Sequence, residues 1–243
     1  MWDKPALMLW LANLLYAVAA ILLLYAVLFL VVHLPLFPLR EVKVNGELEH
    51  VTHEQVQFIV TRALKGNFFT LDLNKTRRTF EKLPWVRNVN VRRRWPDKLE
   101  VTLEEHEVLA RWNNTALVNA QGEIFQAASD QQLPVFSGPA DSVQEVARQY
   151  LFFRQQLAIT GRHPVTVSLS PRRAWQIRLD DGLVVELGRE HVAQRMEKFV
   201  KVYDRSLGRL GQLRKAVDYV DLRYPNGFAV RMDATATHKP AGA

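Results

Sequence analysis

Residues 83–103 read LPWVRNVNVRRRWPDKLEVTL. Pro84 stops whatever helix precedes it, because proline offers no amide donor and clashes with the turn before it. Val89 and Val91 then alternate with Asn90 and Arg92, Pro96-Asp97 supplies a turn, and Leu99, Val101 and Leu103 alternate on the return. Side chains two apart share a face of a strand, so this stretch predicts two strands with one apolar face each. Trp95 is expected to pack as a strand residue into the core beneath them.

Upstream, residues 40–44 alternate as a short strand that ends at Asn45-Gly46, a strong turn signal. Thr52 and Gln55 fit a capping box, in which the two side chains satisfy each other's free backbone donors. Val56, Ile59, Val60, Ala63 and Leu64 recur at helical spacing behind it, and Gly66 supplies the stop. A shorter helix over 75–83 buries Phe80 and Leu83. The order strand, helix, helix, strand, strand is a compact α+β module.

Further upstream, residues 7–32 are apolar throughout except for Asn13. As a helix rising ~1.5 Å per residue they reach roughly 39 Å, enough for a ~30 Å hydrocarbon core. Signal-peptide cores are shorter and end at a small-residue cleavage site, which the exit at 32–38 lacks. The run therefore reads as a retained single membrane anchor. Lys4 precedes it and Arg40 and Lys43 follow it, so charge asymmetry leaves its orientation open.

The texture changes near Glu107. Trp112, Leu117-Val118 and Ile124-Phe125 mark short strands, and 127–139 reads as a loop. Ser142 and Glu145 fit a second capping box before a helix with Val146, Tyr150, Phe153 and Leu157 on one face. Strands follow over 165–169, 175–179 and 183–187, the last two joined by Asp180-Asp181-Gly182. A helix over 191–207 turns Met196, Phe199, Val200 and Tyr203 inward. A final hairpin pairs 217–224 with 228–232 across Pro225-Asn226-Gly227. Residues 234–243 are small and polar and read as a disordered tail. The whole is an anchor, an α+β module over 37–106, and a second α+β domain over 107–233 with a largely antiparallel sheet.

Composition excludes several chemistries. The chain has no cysteine, so disulfides, thiol catalysis and cysteine-ligated zinc are absent. The net charge of +7 suits anionic lipid, nucleic acid or an acidic protein. Arg77-Arg78, Arg92-Arg93-Arg94 and Arg172-Arg173 carry much of it, but without the interleaved aromatics or reading helix of a nucleic-acid site. They read as solvated faces or contacts for a partner's acidic groups. His50 and His53 stand beside glutamates at an HxxH spacing but lack a third ligand, and read as solvated histidines. Glu104-Glu105-His106-Glu107 reads as a charged strand edge. No nucleophile elbow, phosphate loop or dinucleotide fingerprint is present, and nothing calls for a metal, cofactor or small-molecule substrate. The final hairpin is different in kind: if 228–232 closes the sheet, its outer edge can take up a partner strand.

Leu83-Pro84-Trp85-Val86, Val89-Asn90-Val91-Arg92 and Arg94-Trp95-Pro96-Asp97 together resemble the FtsQ/DivIB family of bacterial cell-division proteins. The likeness continues through Ala110-Arg111-Trp112-Asn113, Arg172-Arg173-Ala174-Trp175 and Val220-Asp221-Leu222-Arg223-Tyr224. It implies a cytoplasmic N-terminus over 1–6, one helix in the cell inner membrane, a periplasmic POTRA domain over 37–106 and a periplasmic β domain, concentrated at the division septum. It implies a scaffold without enzymatic activity that binds the FtsB–FtsL pair and other divisome proteins, linking early cytoplasmic components to septal-wall synthesis. Arg172 corresponds to a position that pairs with an acidic residue of FtsB. Tyr224, Asn226, Gly227, Phe228 and Val230 fall on the hairpin of the FtsB-binding surface, and Asn88, Val91 and Arg93 on the strand tied to recruitment. Arg231-Met232 stands where some members have Gly-Trp. The competing reading is a POTRA-bearing component of envelope transport or assembly, which would normally carry several such domains or a β-barrel.

Overall fold

A computed structural model describes residues 5–34, 38–63, 66–203, 217–224 and 227–232. Its first element, α1 (Pro5–His33), is a continuous helix, and no part of its most apolar window is covered by the rest of the protein. An uncovered apolar helix of this length is suited to lipid rather than water. Its last turn stacks Tyr25, Phe29 and His33 in succession, and the His33 ring bonds the Phe29 carbonyl through Nδ1 at 2.8 Å. The chain divides into two compact units between His106 and Glu107.

The first unit contains β1 (Glu41–Asn45), α2 (His53–Ala63), α3 (Leu73–Phe80), β2 (Val86–Arg94) and β3 (Lys98–Glu105). The strands lie in the order β1-β3-β2, with β1 parallel and β2 antiparallel to the central β3. The alternation in β3 buries Leu99, Val101 and Leu103, and the helices add Val56, Ile59 and Phe80 to the same core. The Thr52–Gln55 capping box forms in both directions. Asp72 caps α3 by accepting the Lys75 amide at 3.0 Å, so that helix starts earlier than Lys75, and it ends at Phe80 rather than Leu83. Gly46 adopts φ 143°, and any Cβ there would collide with the Leu103 carbonyl oxygen.

Three side chains in this unit depart from their expected surroundings. Trp95 lies beyond the end of β2, in the turn, and is 82% exposed instead of packing in the core. His50 is not a solvated histidine: it stacks on Trp85 at 3.6 Å and bonds Glu105 at 3.1 Å. Glu105 is not a free charged edge either, since it accepts the backbone amides of Glu49, His50 and Val51. Strand alternation alone does not reveal that the connection after β1 folds back over the end of β3.

The second unit begins with β4 (Val108–Trp112), β5 (Ala116–Asn119), β6 (Ile124–Phe125), β7 (Val135–Ser137) and α4 (Val143–Leu157). It continues with β8 (Pro164–Leu169), β9 (Trp175–Leu179), β10 (Val184–Gly188), α5 (Val192–Val202), β11 (Val217–Asp221) and β12 (Ala229–Met232). Among the described residues one nine-stranded sheet runs β12-β11-β10-β9-β8-β7-β4-β5-β6. The pairings of β10 with β11, β4 with β7 and β7 with β8 are parallel and the others antiparallel, so the sheet is mixed. The strand β7 lies inside the stretch expected to be a loop, and it joins the two halves of the sheet. Helices α4 and α5 pack against each other and on β8 and β10, enclosing Phe136, Phe153, Ile177, Leu187, Met196 and Phe199. Ser142 does not form a capping box. Its hydroxyl donates to the Pro139 carbonyl at 2.6 Å within a short 3-10 turn. The expected 204–207 end of α5 and the tail lie outside the described residues.

Candidate partner-binding surface

Strand β12 is held by β11 alone. Val220 faces Val230 and Asp221 faces Ala229 in an antiparallel register, and no described strand pairs with the other side of β12. All four of its residues are exposed. An outer strand of this kind offers a row of free amides and carbonyls, the template for adding a further strand. Tyr224, Phe228 and Val230 are exposed around it, making the edge apolar as well as open. Gly227 is described, while Asn226 lies outside the described residues.

Charged forks stiffen the strands beneath this edge. Arg223 donates to both carboxylate oxygens of the buried Asp221, with Nη2 at 2.7 Å. Those hydrogen bonds hold the Asp221 carboxyl below its ordinary value against the upward push of burial, and they hold the Arg223 guanidinium above its own. Arg195 from α5 supports the same end, donating to the carbonyls of Leu187 and Arg223. On β12, Arg231 bonds Asp218 at 2.9 Å and lies 5.1 Å over the Tyr219 ring.

Arg172 and Arg173 are neighbours with different employment. Arg173 adopts φ 62° and bonds Glu145 at 2.7 Å and Asp141 at 2.6 Å. Arg172 is exposed at the β8–β9 turn and forms no ion pair among the described residues. The register sets it at the same end of the sheet as Tyr224 and Phe228, since Trp175 pairs with Gly188, and β10 runs parallel to β11. Three strand spacings of ~4.8 Å separate β9 from β12, so a ligand of both spans about 14 Å. The structure brings Arg172 and the described residues of the hairpin to one rim.

The residues Asn88, Val91 and Arg93 lie on β2 but not on one face. Val91 and Arg93 pair with Val101 and Leu99 on the core side, whereas Asn88 pairs with Glu104. Arg93 is occupied within the unit: Nε donates to the Phe68 carbonyl at 2.7 Å and Nη2 to that of Leu71 at 2.6 Å. What the three share is the outer edge of β2, which among the described residues pairs with β3 alone.

Against known proteins, residues 37–106 match the family model described as "POTRA domain, FtsQ-type", and residues 110–223 match "Cell division protein FtsQ/DivIB, C-terminal". The chain belongs to the FtsQ cell-division family. It is 47% identical to the cell division protein FtsQ of Nitrosospira multiformis, covering 95% of this chain and 99% of that one. The FtsQ of Burkholderia pseudomallei is 41% identical over 95% and 94%, and that of Neisseria gonorrhoeae 32% over 100% and 97%. Family membership and the apolar α1 make this FtsQ-family chain a single-pass membrane protein of cell division. Among its described residues no group of three or more His, Cys, Asp or Glu could hold a metal ion.

Proposed function

We propose that the protein is a scaffold of the division machinery, without enzymatic activity, that binds the FtsB–FtsL pair by adding a strand of FtsB to the outer edge of β12. The observation that carries this reading is that edge: four exposed residues, one pairing partner and an apolar rim of Tyr224, Phe228 and Val230. Arg172 adds charge complementarity about 14 Å along the rim, three strand spacings away. Asn226 and Gly227 belong to the binding surface in this reading, and the outer edge of β2 with Asn88, Val91 and Arg93 serves recruitment. The anchor lies in the cell inner membrane with its N-terminus in the cytoplasm. Both folded units then work in the periplasm at the septum and connect early cytoplasmic components with septal-wall synthesis. Nucleic acid and small molecules have no part in it.

The pair of arginines provides the test. Arg172→Glu is expected to weaken co-purification with FtsB and to leave thermal unfolding unchanged, because the wild-type side chain forms no ion pair among the described residues. A contact at the rim costs up to about 1 kcal/mol when lost, and a desolvated one ~2–5 kcal/mol. Arg173→Glu is expected to do the reverse, lowering stability through repulsion of Asp141 and Glu145. Unchanged FtsB affinity in Arg172→Glu would remove the ionic contact from the proposal.

A further inference from the structure

The turn between α2 and α3 is tied to the membrane helix. Asn67 is only 8% exposed, and its Nδ2 donates to the carbonyls of Val32 at 2.6 Å and Leu34 at 3.2 Å. These carbonyls belong to the end of α1, where helical acceptors lack partners along the chain. The Oδ1 of the same side chain accepts the amides of Phe69 and Thr70, and the Asn67 amide donates to Thr70 Oγ1. The Leu71 amide returns to the Asn67 carbonyl. From the opposite side Arg93 takes the carbonyls of Phe68, Phe69 and Leu71.

Nearly every backbone polar group of residues 67–71 is therefore satisfied within the protein. Asn67, Phe68 and Leu71 are themselves buried, and backbone polar groups away from water need such partners in protein and in lipid alike. The turn presents Phe69, 44% exposed, at the level where α1 ends. Trp95, 82% exposed, lies in the turn after β2, two residues along the chain from Arg93, or about 7 Å of extended strand. The Asp97 carbonyl of the same hairpin accepts the amide of Arg40, the residue before β1. Arg92, three residues before Trp95 and on the face of β2 opposite Arg93, is exposed across from Glu100 with no ion pair among the described residues, while Arg94 is held by Glu100.

We infer that this end of the POTRA unit is a lipid-binding surface: Phe69 and Trp95 seat in the headgroup region beside the exit of α1, and Arg92 meets an anionic phospholipid headgroup. Aromatic side chains collect at membrane interfaces and basic ones at anionic lipid, so the composition fits the position. The contact gives the unit two supports on the bilayer, α1 and the aromatic pair, and orients it instead of leaving it free on a tether. It does not depend on the identity of any protein partner.

The chain has no cysteine, so single cysteines report without interference. Phe69→Cys, Trp95→Cys and Glu47→Cys, each spin-labelled in the full-length protein, are reconstituted in nanodiscs of phosphatidylcholine and phosphatidylglycerol. Glu47 follows β1 at the opposite end of the strands, where Asn45 pairs with Thr102. The ratio of collision rates with oxygen and with a water-soluble nickel chelate is expected to be several-fold higher at 69 and 95 than at 47. Aqueous values at either 69 or 95 overturn the two-point surface. Low accessibility to both reagents, persisting in detergent, would indicate a protein cover and overturn it too. Asn67→Asp keeps the acceptor that shapes the turn but loses the donor to Val32 and Leu34. It is expected to return both labels toward aqueous values while near-ultraviolet circular dichroism stays the same; labels that remain immersed would remove the tether from the proposal.

Discussion

Glu105 shows how one carboxylate can organise a junction. It receives the Val51 amide at 2.8 Å, the amides of Glu49 and His50, and the His50 ring, which itself lies on Trp85. Burial pushes its carboxyl up, but these hydrogen bonds outweigh burial and hold it below the ordinary value of 4.5. A carboxyl lowered in the folded state contributes stability above its unfolded value, and that contribution disappears as pH falls through the folded one. Thermal unfolding should therefore show a loss of stability on acidification below about pH 4.5 that Glu105→Gln lacks. At neutral pH the same substitution should cost about 1–3 kcal/mol, the range for hydrogen bonds to a buried charge. An acid limb of the same depth in Glu105→Gln would assign the effect to other carboxylates. No local pattern announces this role, because the three amides that define it come from a segment more than fifty positions away.

Among the elements, β12 and β9 are opposites. Strand β9 is paired on both sides and buries Trp175, Ile177 and Leu179, while β12 hangs on one neighbour with every residue exposed. Local opening scales with such differences in burial and pairing. Amides 229–232 should exchange rapidly with solvent in the free protein and those of 175–179 slowly. Added FtsB should slow 229–232 and leave 175–179 as they were; unaltered exchange in β12 with the complex formed would rule out strand addition. The same contrast explains what was legible in the sequence. Leu99, Val101 and Leu103 were legible because each side chain meets one demand, burial on alternate positions. Strand β7 was not, because three residues between Pro134 and Gly138 carry no period, and their pairing is decided by β4 and β8 from distant parts of the chain. Trp95 was misplaced for a related reason: alternation continues to the end of β2 and does not mark where the hairpin leaves the core.

At the scale of the whole molecule the question is which side of the membrane each part occupies. The helix α1 supplies one crossing, so the segment before it and the two units after it stand on opposite sides. Charge does not select the exported arrangement, because Lys4 stands on one flank and Arg40 and Lys43 on the other, a slight lean the opposite way. Large domains also translocate with little regard for nearby charge. The proposed function requires the units outside the cytoplasm, and the absence of cysteine makes that requirement measurable. In spheroplasts, Glu47→Cys should react with a membrane-impermeant maleimide, while Asp3→Cys should react only after lysis. Glu47 suits this because it lies at the end of the strands remote from Trp95, where a bilayer contact would not shield it. Reaction of Asp3→Cys in intact spheroplasts, with Glu47→Cys protected, would place the β12 edge in the cytoplasm and exclude a periplasmic strand partner. The same two cysteines distinguish a failure of topology from a failure of the binding edge: with Glu47→Cys accessible outside and β12 still unprotected by FtsB, the membrane arrangement stands and only the strand addition falls.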